Sequence, residues 1–503
     1  MSLRFVSAGH QSNQHSNAGI YVKYGNYGRF EIVSESPYYV HMITPDRELY
    51  IQSNTLRECD NPLVRNFDEY VDLNIMGKRY PDNFIGQYMI NFVDSGDETQ
   101  ILKRKKNSGS TIFCDSGGFQ IAMGRCTIIN PIDLVKFYNE NVNLGMVLDI
   151  PDYNGDKHFP DEMIMELAKI QKRNNEYMLK YKADDVELIN ILHGSKFNQR
   201  IEYLKAVHDD RIQRLAIPSV GIPMTLPRLN LFLEVLRTAK LLGHYKHLHV
   251  LGSFNKGVIH VLAKMAHSSL PECQGIEFTM DASSPLQNSV NFTYCKNLSI
   301  WDGLQEYAPL PKEKYTQINH IQSMYAGGLG KFNPYSLLPC SCPVCSKLKY
   351  SYVLRNIKGG TLRNMMFLNH NAIEANSYVN MVDFFAETLS NKEYIEHIQK
   401  LQDSGDNDTI LCLKFLNHAE KVGLDQARKD FNAYLQEKPG VVQTTGLMSQ
   451  ITGMKKEEGG LNKHIQNLIK EYNSIDFENY HEKLKIGKSV RSATNLKGED
   501  YND

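Results

Sequence analysis

Six short apolar runs, each ending in polar or small residues and each followed by a helical stretch, constrain this chain more than any other feature. They are "TIFCD" to Asp115, "GMVLD" to Asp149, "VELINILHG" with His193 near its end, "RLAIPS" to Ser219, "HLHVLGS" to Ser253 and "GIEFTMD" to Asp281. Between them, "DEMIMELAKIQKRNNEYMLKY" places Met163, Leu167, Ile170 and Tyr177 on one side of a helix, and "LNLFLEVLRTAKLL" is a second helical segment. Strand and helix alternating in this way predict βα units and a parallel sheet. With earlier strand candidates in "YYVHMI" and "FIGQYMINF", an α/β fold of the (β/α)8 TIM-barrel type fits better than an open sheet. In such barrels the chemistry gathers at the C-terminal ends of the strands. Here three of the six runs end in Asp and one carries a His at its end.

The rest of the chain divides around that core. Residues 1–110 read as antiparallel strands ("IYVKYG" and "GRFEIVSE" around the turn "NYG") plus the first barrel units, and 111–310 as the catalytic barrel. A basic, cysteine-rich insertion spans 311–375, helices fill 376–486, and the polar tail 487–503 reads as disordered. A chain of 503 residues, 42% hydrophobic, has ample material for a large core. No run of about 18 apolar residues predicts a membrane span, and the N-terminus lacks the pattern of a secretory signal. The nine cysteines are unevenly spaced, which suits a reducing, cytoplasmic setting better than a disulfide framework.

Three of those cysteines lie within six residues, in "PCSCPVCS". Cys340, Cys342 and Cys345, with His370 twenty-five residues on, match a closed Cys3His zinc site. The plain alternatives are three buried thiols and an ordinary core histidine, since the chain has seventeen histidines. A site with four protein ligands has no open position, so the zinc is structural. The sixty residues from Lys314 to Ile373 contain no acid, yet carry seven cations, including Lys347, Lys349, Arg355 and Lys358. A second basic run, Lys103-Arg104-Lys105-Lys106, precedes the first apolar run. The net charge is −1, but local positive fields of this kind hold phosphates on a neutral protein.

Five motifs in order then resemble the tRNA-guanine transglycosylase superfamily over residues 111–370, roughly half the chain. "DSGGFQ" stands as in the family, and "VLDIP" resembles its second acidic motif. "VLGS" is similar to its "LMG" stretch, "TMD" falls where its nucleophilic aspartate is expected, and CxCxxC followed by "HN" resembles its zinc site. The resemblance implies a (β/α)8 barrel with a zinc-binding insertion that exchanges a guanine in a polynucleotide for a 7-deazaguanine. By motif position Asp281 is then the nucleophile and Asp115 the general acid and base. Asp149 accepts hydrogen bonds from the guanine edge, Phe119 and Leu251 sandwich the ring, and Ser116 and Gly252 flank it. Gly117 and Gly118 leave room for a flat base against the backbone. An N-cap role is the alternative for each aspartate, and plain core packing for Phe119 and Leu251.

Three departures shift the expected polymer. "ILHGS" puts His193 where the tRNA enzymes carry an amide, and "LAIPS" puts Pro218 where they carry glycine. Proline has no N–H, so a backbone contact to the base falls to Ser219. "DASSPLQNSV" lacks the arginine that follows their nucleophile and contacts tRNA. The set resembles the DNA 7-deazaguanine transglycosylases (DpdA), which implies DNA as the polymer and 7-cyano-7-deazaguanine as the incoming base. Exchange on tRNA is the close alternative, and a noncatalytic nucleic-acid scaffold a more distant one. Accessory modification proteins fit the same picture; a membrane does not.

Overall fold

The structure, a computed structural model, describes residues 3–8, 87–91, 111–122, 127–152, 159–194, 196–218, 223–243, 245–253, 255–282, 294–296, 316–318, 379, 382–401, 407–435 and 460–480. Eight strands pair side by side in chain order: β1 (Leu3–Ala8), β2 (Gln87–Asn91), β3 (Thr111–Asp115), β4 (Leu144–Met146), β5 (Glu187–Ile191), β6 (Arg214–Pro218), β7 (His247–Leu251) and β8 (Glu277–Ala282). Every neighbouring pair is parallel, and β8 pairs back onto β1, with Val6 opposite Asp281, so the sheet closes on itself. A separate two-stranded antiparallel sheet joins β9 (Tyr294–Lys296) to β10 (Thr316–Ile318).

Among the described residues, helices follow five of the strands. They are α1 (Gly118–Ala122) and α2 (Pro131–Asn141) after β3, α3 (Asp161–Tyr181) after β4, α4 (Phe197–Val207) after β5, α5 (Leu226–Leu242) after β6 and α6 (Lys256–Ala266) after β7. The segments between β1 and β2 and between β2 and β3 lie outside the described residues.

All six predicted runs overlap a barrel strand, and both predicted helices form. "FIGQYMINF" contains β2, whereas β1 is the N-terminal "LRFVSA". "YYVHMI", the predicted hairpin, the cations of both basic stretches, Ser219 and the four expected zinc ligands lie outside the described residues.

Two apolar layers hold the barrel. The outer one packs helices on the sheet, and α3 shows why: Met163, Ile164, Leu167, Ile170 and Met178 fall on one face and are buried. Burying each such side chain contributes about 1.5–3 kcal/mol. The inner layer is smaller and lies inside the barrel: Phe113, Leu144, Met146, Ile189, Ile191 and Ala216, with Leu251 packed against it. Strand side chains alternate between faces, so residues two apart share one.

The C-terminal helices α7 (Asn391–Leu401), α8 (Asn407–Val422), α9 (Leu424–Asp430), α10 (Asn432–Leu435) and α11 (Gly460–Ser474) share the outer layer. Asn130 shows the mechanism of attachment. Its side chain caps α2 by accepting from the Ile132 N–H, and its amide donates to the carbonyls of Phe477 at 3.0 Å and Tyr480 at 2.9 Å. At the opposite end of the barrel, Asp383 accepts from the Leu3 N–H at 2.7 Å and meets His267 Nε2 at 2.9 Å. Among the described residues no helix is long and apolar enough to cross a membrane.

Candidate active site

The interior face can be fixed from one contact. The Phe113 ring on β3 lies 5.5 Å from the His249 ring and 6.2 Å from that of His247, both on β7, on the far side of the barrel. Phe113, His247 and His249 therefore face the interior. By alternation Asp115 shares the face of Phe113, and Asp281 shares that of Thr279, whose hydroxyl meets both histidines. Both carboxylates thus belong to the inner face at the C-terminal mouth, on strands three places apart around the ring.

Asp281 is 7% exposed. Its Oδ1 accepts from the Gly252 N–H at 2.7 Å and lies 3.2 Å from His249 Nε2. Gly252 reaches that position with φ 69°, the left-handed region in which glycine is strain-free. The next N–H, that of Ser253, bonds the Asp281 carbonyl at 2.9 Å. The "VLGS" stretch is therefore a clasp on the nucleophile candidate.

A second cluster gathers on the ends of β3, β4 and β5. Asp149 is 4% exposed, and each of its oxygens has a partner: Ser116 Oγ donates to Oδ1 at 2.6 Å, and His193 Nε2 lies 2.7 Å from Oδ2. The segment carrying it is tied from behind. Tyr138 donates to the Met146 carbonyl at 2.8 Å, and Asn174 to the Leu148 carbonyl at 2.8 Å.

His193 is held between two carboxylates. Nδ1 lies 3.3 Å from Asp152 Oδ1 while Nε2 meets Asp149, so both ring nitrogens are committed to carboxylates. It orients Asp149. Burial alone would lower its pKa, but hydrogen bonds and charge from Asp149 and Asp152 raise it to about 9, so the ring is an imidazolium at neutral pH. For Asp152 burial acts upward, and the His193 hydrogen bond and charge, with Arg200 and the Gly194 N–H, hold the carboxyl below its usual range.

Gly118 packs against the segment that carries Asp149. A Cβ there would come within 2.1 Å of the Asp149 carbonyl oxygen and 2.6 Å of its Oδ1. The bare backbone makes room for the Asp149 segment. Gly117 has φ 85°, a turn that glycine tolerates. Phe119, in α1, is half-buried, as is Leu251, which packs on the inner apolar layer.

Sequence reasoning passed over Asp152, His247, His249 and Thr279. A signal for the last three was present: His-x-His on one strand and Thr-x-Asp on its neighbour put all four side chains on one face at spacing two. Among the described residues no group of three or more His, Cys, Asp or Glu is arranged to hold a metal. No family model matches the chain, and no curated protein matches it.

Proposed function

We propose that this protein is a base-exchange transglycosylase that replaces guanine in DNA with 7-cyano-7-deazaguanine. The observation that carries the reading is the pair Asp115 and Asp281 on the inner face of one barrel mouth, with a third carboxylate, Asp149, locked in orientation nearby. Exchange with retention needs a nucleophile at the sugar C1′ and a second group that moves a proton on the base, the division of labour of retaining glycosidases. In the first step an Asp281 oxygen forms a bond to C1′ while the C1′–N9 bond breaks, its electron pair leaving with guanine. Asp115 supplies the proton that guanine takes. In the second step Asp115 accepts the N9 proton of the incoming base, N9 bonds to C1′, and the Asp281 carboxylate departs.

Asp149 accepts from the guanine N1–H and 2-amino group on its remaining lone pairs. A base inside a duplex cannot reach this mouth, so the target is flipped or single-stranded. The full (β/α)8 barrel, the cytoplasmic setting, and a structural zinc on Cys340, Cys342, Cys345 and His370 belong to the same proposal, supported by the sequence pattern.

The test is incubation with labelled 7-cyano-7-deazaguanine and either DNA or tRNA. Label should enter DNA, and Asp281→Ala should abolish incorporation. Label in tRNA alone moves the chemistry to the other polymer; label in neither removes the enzymatic reading and leaves a nucleic-acid scaffold.

A further inference from the structure

Beneath Asp281 the barrel interior is polar. His247, His249 and Thr279 are all buried, at positions where barrels of this kind carry bulky branched apolar side chains. The contacts run in one line: His247 Nε2 to Thr279 Oγ1 at 2.6 Å, Thr279 Oγ1 to His249 Nδ1 at 2.7 Å, and His249 Nε2 to Asp281 Oδ1 at 3.2 Å. Burying three polar side chains costs free energy that apolar residues would not, so the column needs a reason.

Hydrogen-bond direction supplies one. Threonine has a single hydroxyl proton and two acceptor lone pairs. His247 is neutral at ordinary pH, since burial, with Arg214 and His249, drives its pKa well below the usual histidine value. Among the described residues its buried Nδ1 has no partner. A neutral ring with its proton on Nδ1 would bury an orphaned N–H, a rarer and costlier state than an orphaned lone pair. The proton therefore sits on Nε2 and is donated to Thr279 Oγ1. Donation of the threonine proton to His249 Nδ1 then completes the line, with that nitrogen accepting. That leaves His249 with its proton on Nε2, aimed at Asp281.

We infer that His249 is a positioning residue for the nucleophile: as its Nε2–H tautomer, set by Thr279 and His247, it fixes Oδ1 of Asp281 and leaves Oδ2 to attack. This rests on the exchange reading above. Two donors, His249 Nε2–H and the Gly252 N–H, converge on Oδ1, while Oδ2 has no hydrogen bond among the described residues. Pinning one oxygen fixes the carboxylate plane, and with it the direction of the Oδ2 lone pair. Misalignment by a fraction of an ångström lowers the rate of such a displacement without affecting binding of the polymer.

The test compares His249→Phe, which keeps the ring volume and removes both nitrogens, with His249→Gln, whose amide can still donate to Oδ1. In the exchange assay kcat should fall about 10- to 100-fold in the Phe variant, the loss of one hydrogen bond to a charged group. KM for DNA should stay within about threefold, and the Gln variant should recover to within about fivefold of the wild type. Equal activity in all three proteins, or equal loss in both folded variants, overturns the inference. The tautomer is read independently in wild-type protein carrying 15N-histidine, with the His249 signals assigned by their absence from His249→Gln. An Nε2–H signature at pH 7 supports the relay; an Nδ1–H or doubly protonated ring overturns it. If the wild type exchanges no base, the proposed function falls, and the tautomer alone decides whether His249 serves Asp281.

Discussion

Raising the pH from 6 to 9.5 should cost this protein stability through one side chain, His193. The ring is 1% exposed and clamped by Asp149 at 2.7 Å and Asp152 at 3.3 Å. Its pKa is about 9 in the fold, against 6.5 for a free histidine. The folded state therefore holds a proton that the unfolded chain releases between those values, and stability must fall with pH across that window. At about 1.4 kcal/mol for each tenfold change in proton affinity, the contribution is on the order of 3 kcal/mol. It is fully present below pH 6.5, declines above it, and is gone once the pH has risen through 9. Urea unfolding of the wild type and His193→Gln at pH 6, 7.5 and 9.5 measures it. The variant is less stable at pH 6 because two buried carboxylates lose their cation, but its stability should change less with pH, by about 3 kcal/mol across the range. Parallel pH profiles for the two proteins, or a wild type that gains stability toward pH 9.5, would refute the clamp.

Gly118→Ala should destabilise the chain by about 1–3 kcal/mol in urea unfolding, the cost of overpacking a filled space, because its Cβ would meet the Asp149 carbonyl oxygen at 2.1 Å. Exchange activity should fall further than stability does, since the displaced segment carries Asp149. Metal analysis of the purified chain should find about one zinc per molecule, lost in Cys342→Ser; a metal-free, fully stable wild type would leave the cysteine cluster as buried thiols.

The barrel was legible because its strands announce themselves twice, by apolar runs and by the polar residues that end them. "TIFCD" and "GIEFTMD" could be placed from that pattern to within two residues. "LRFVSA" could not: a run broken by Arg4 and Ser7 has no clear period, and β1 exists because β2 and β8 bracket it. The aspartates were legible as strand-end residues, but their partners were not. Asp152 lies outside any strand, and its role depends on the β5 end folding His193 against it. Gly118 shows the same limit. Sequence shows that a Cβ is absent at Gly118; only the fold shows that the Asp149 segment packs where it would stand.

The interior of the barrel is divided, and the division bears on which carboxylate does what. On the β3–β6 side the inner layer is apolar, so the group immediately below Asp115 on its strand face is the Phe113 ring. On the β7–β8 side it is a column of hydrogen-bonding groups, and the donors at its top are aimed at Asp281. A nucleophilic carboxylate gains from fixed donors on one oxygen, because they set its direction of attack and welcome the charge that returns when it leaves. A group that must give up and regain a proton gains nothing from being pinned in this way. Two carboxylates at one mouth with unlike floors beneath them match a division of roles between nucleophile and proton carrier. The polar column is costly to bury and ends on Asp281, which supports the proposed assignment of Asp281 as the nucleophile.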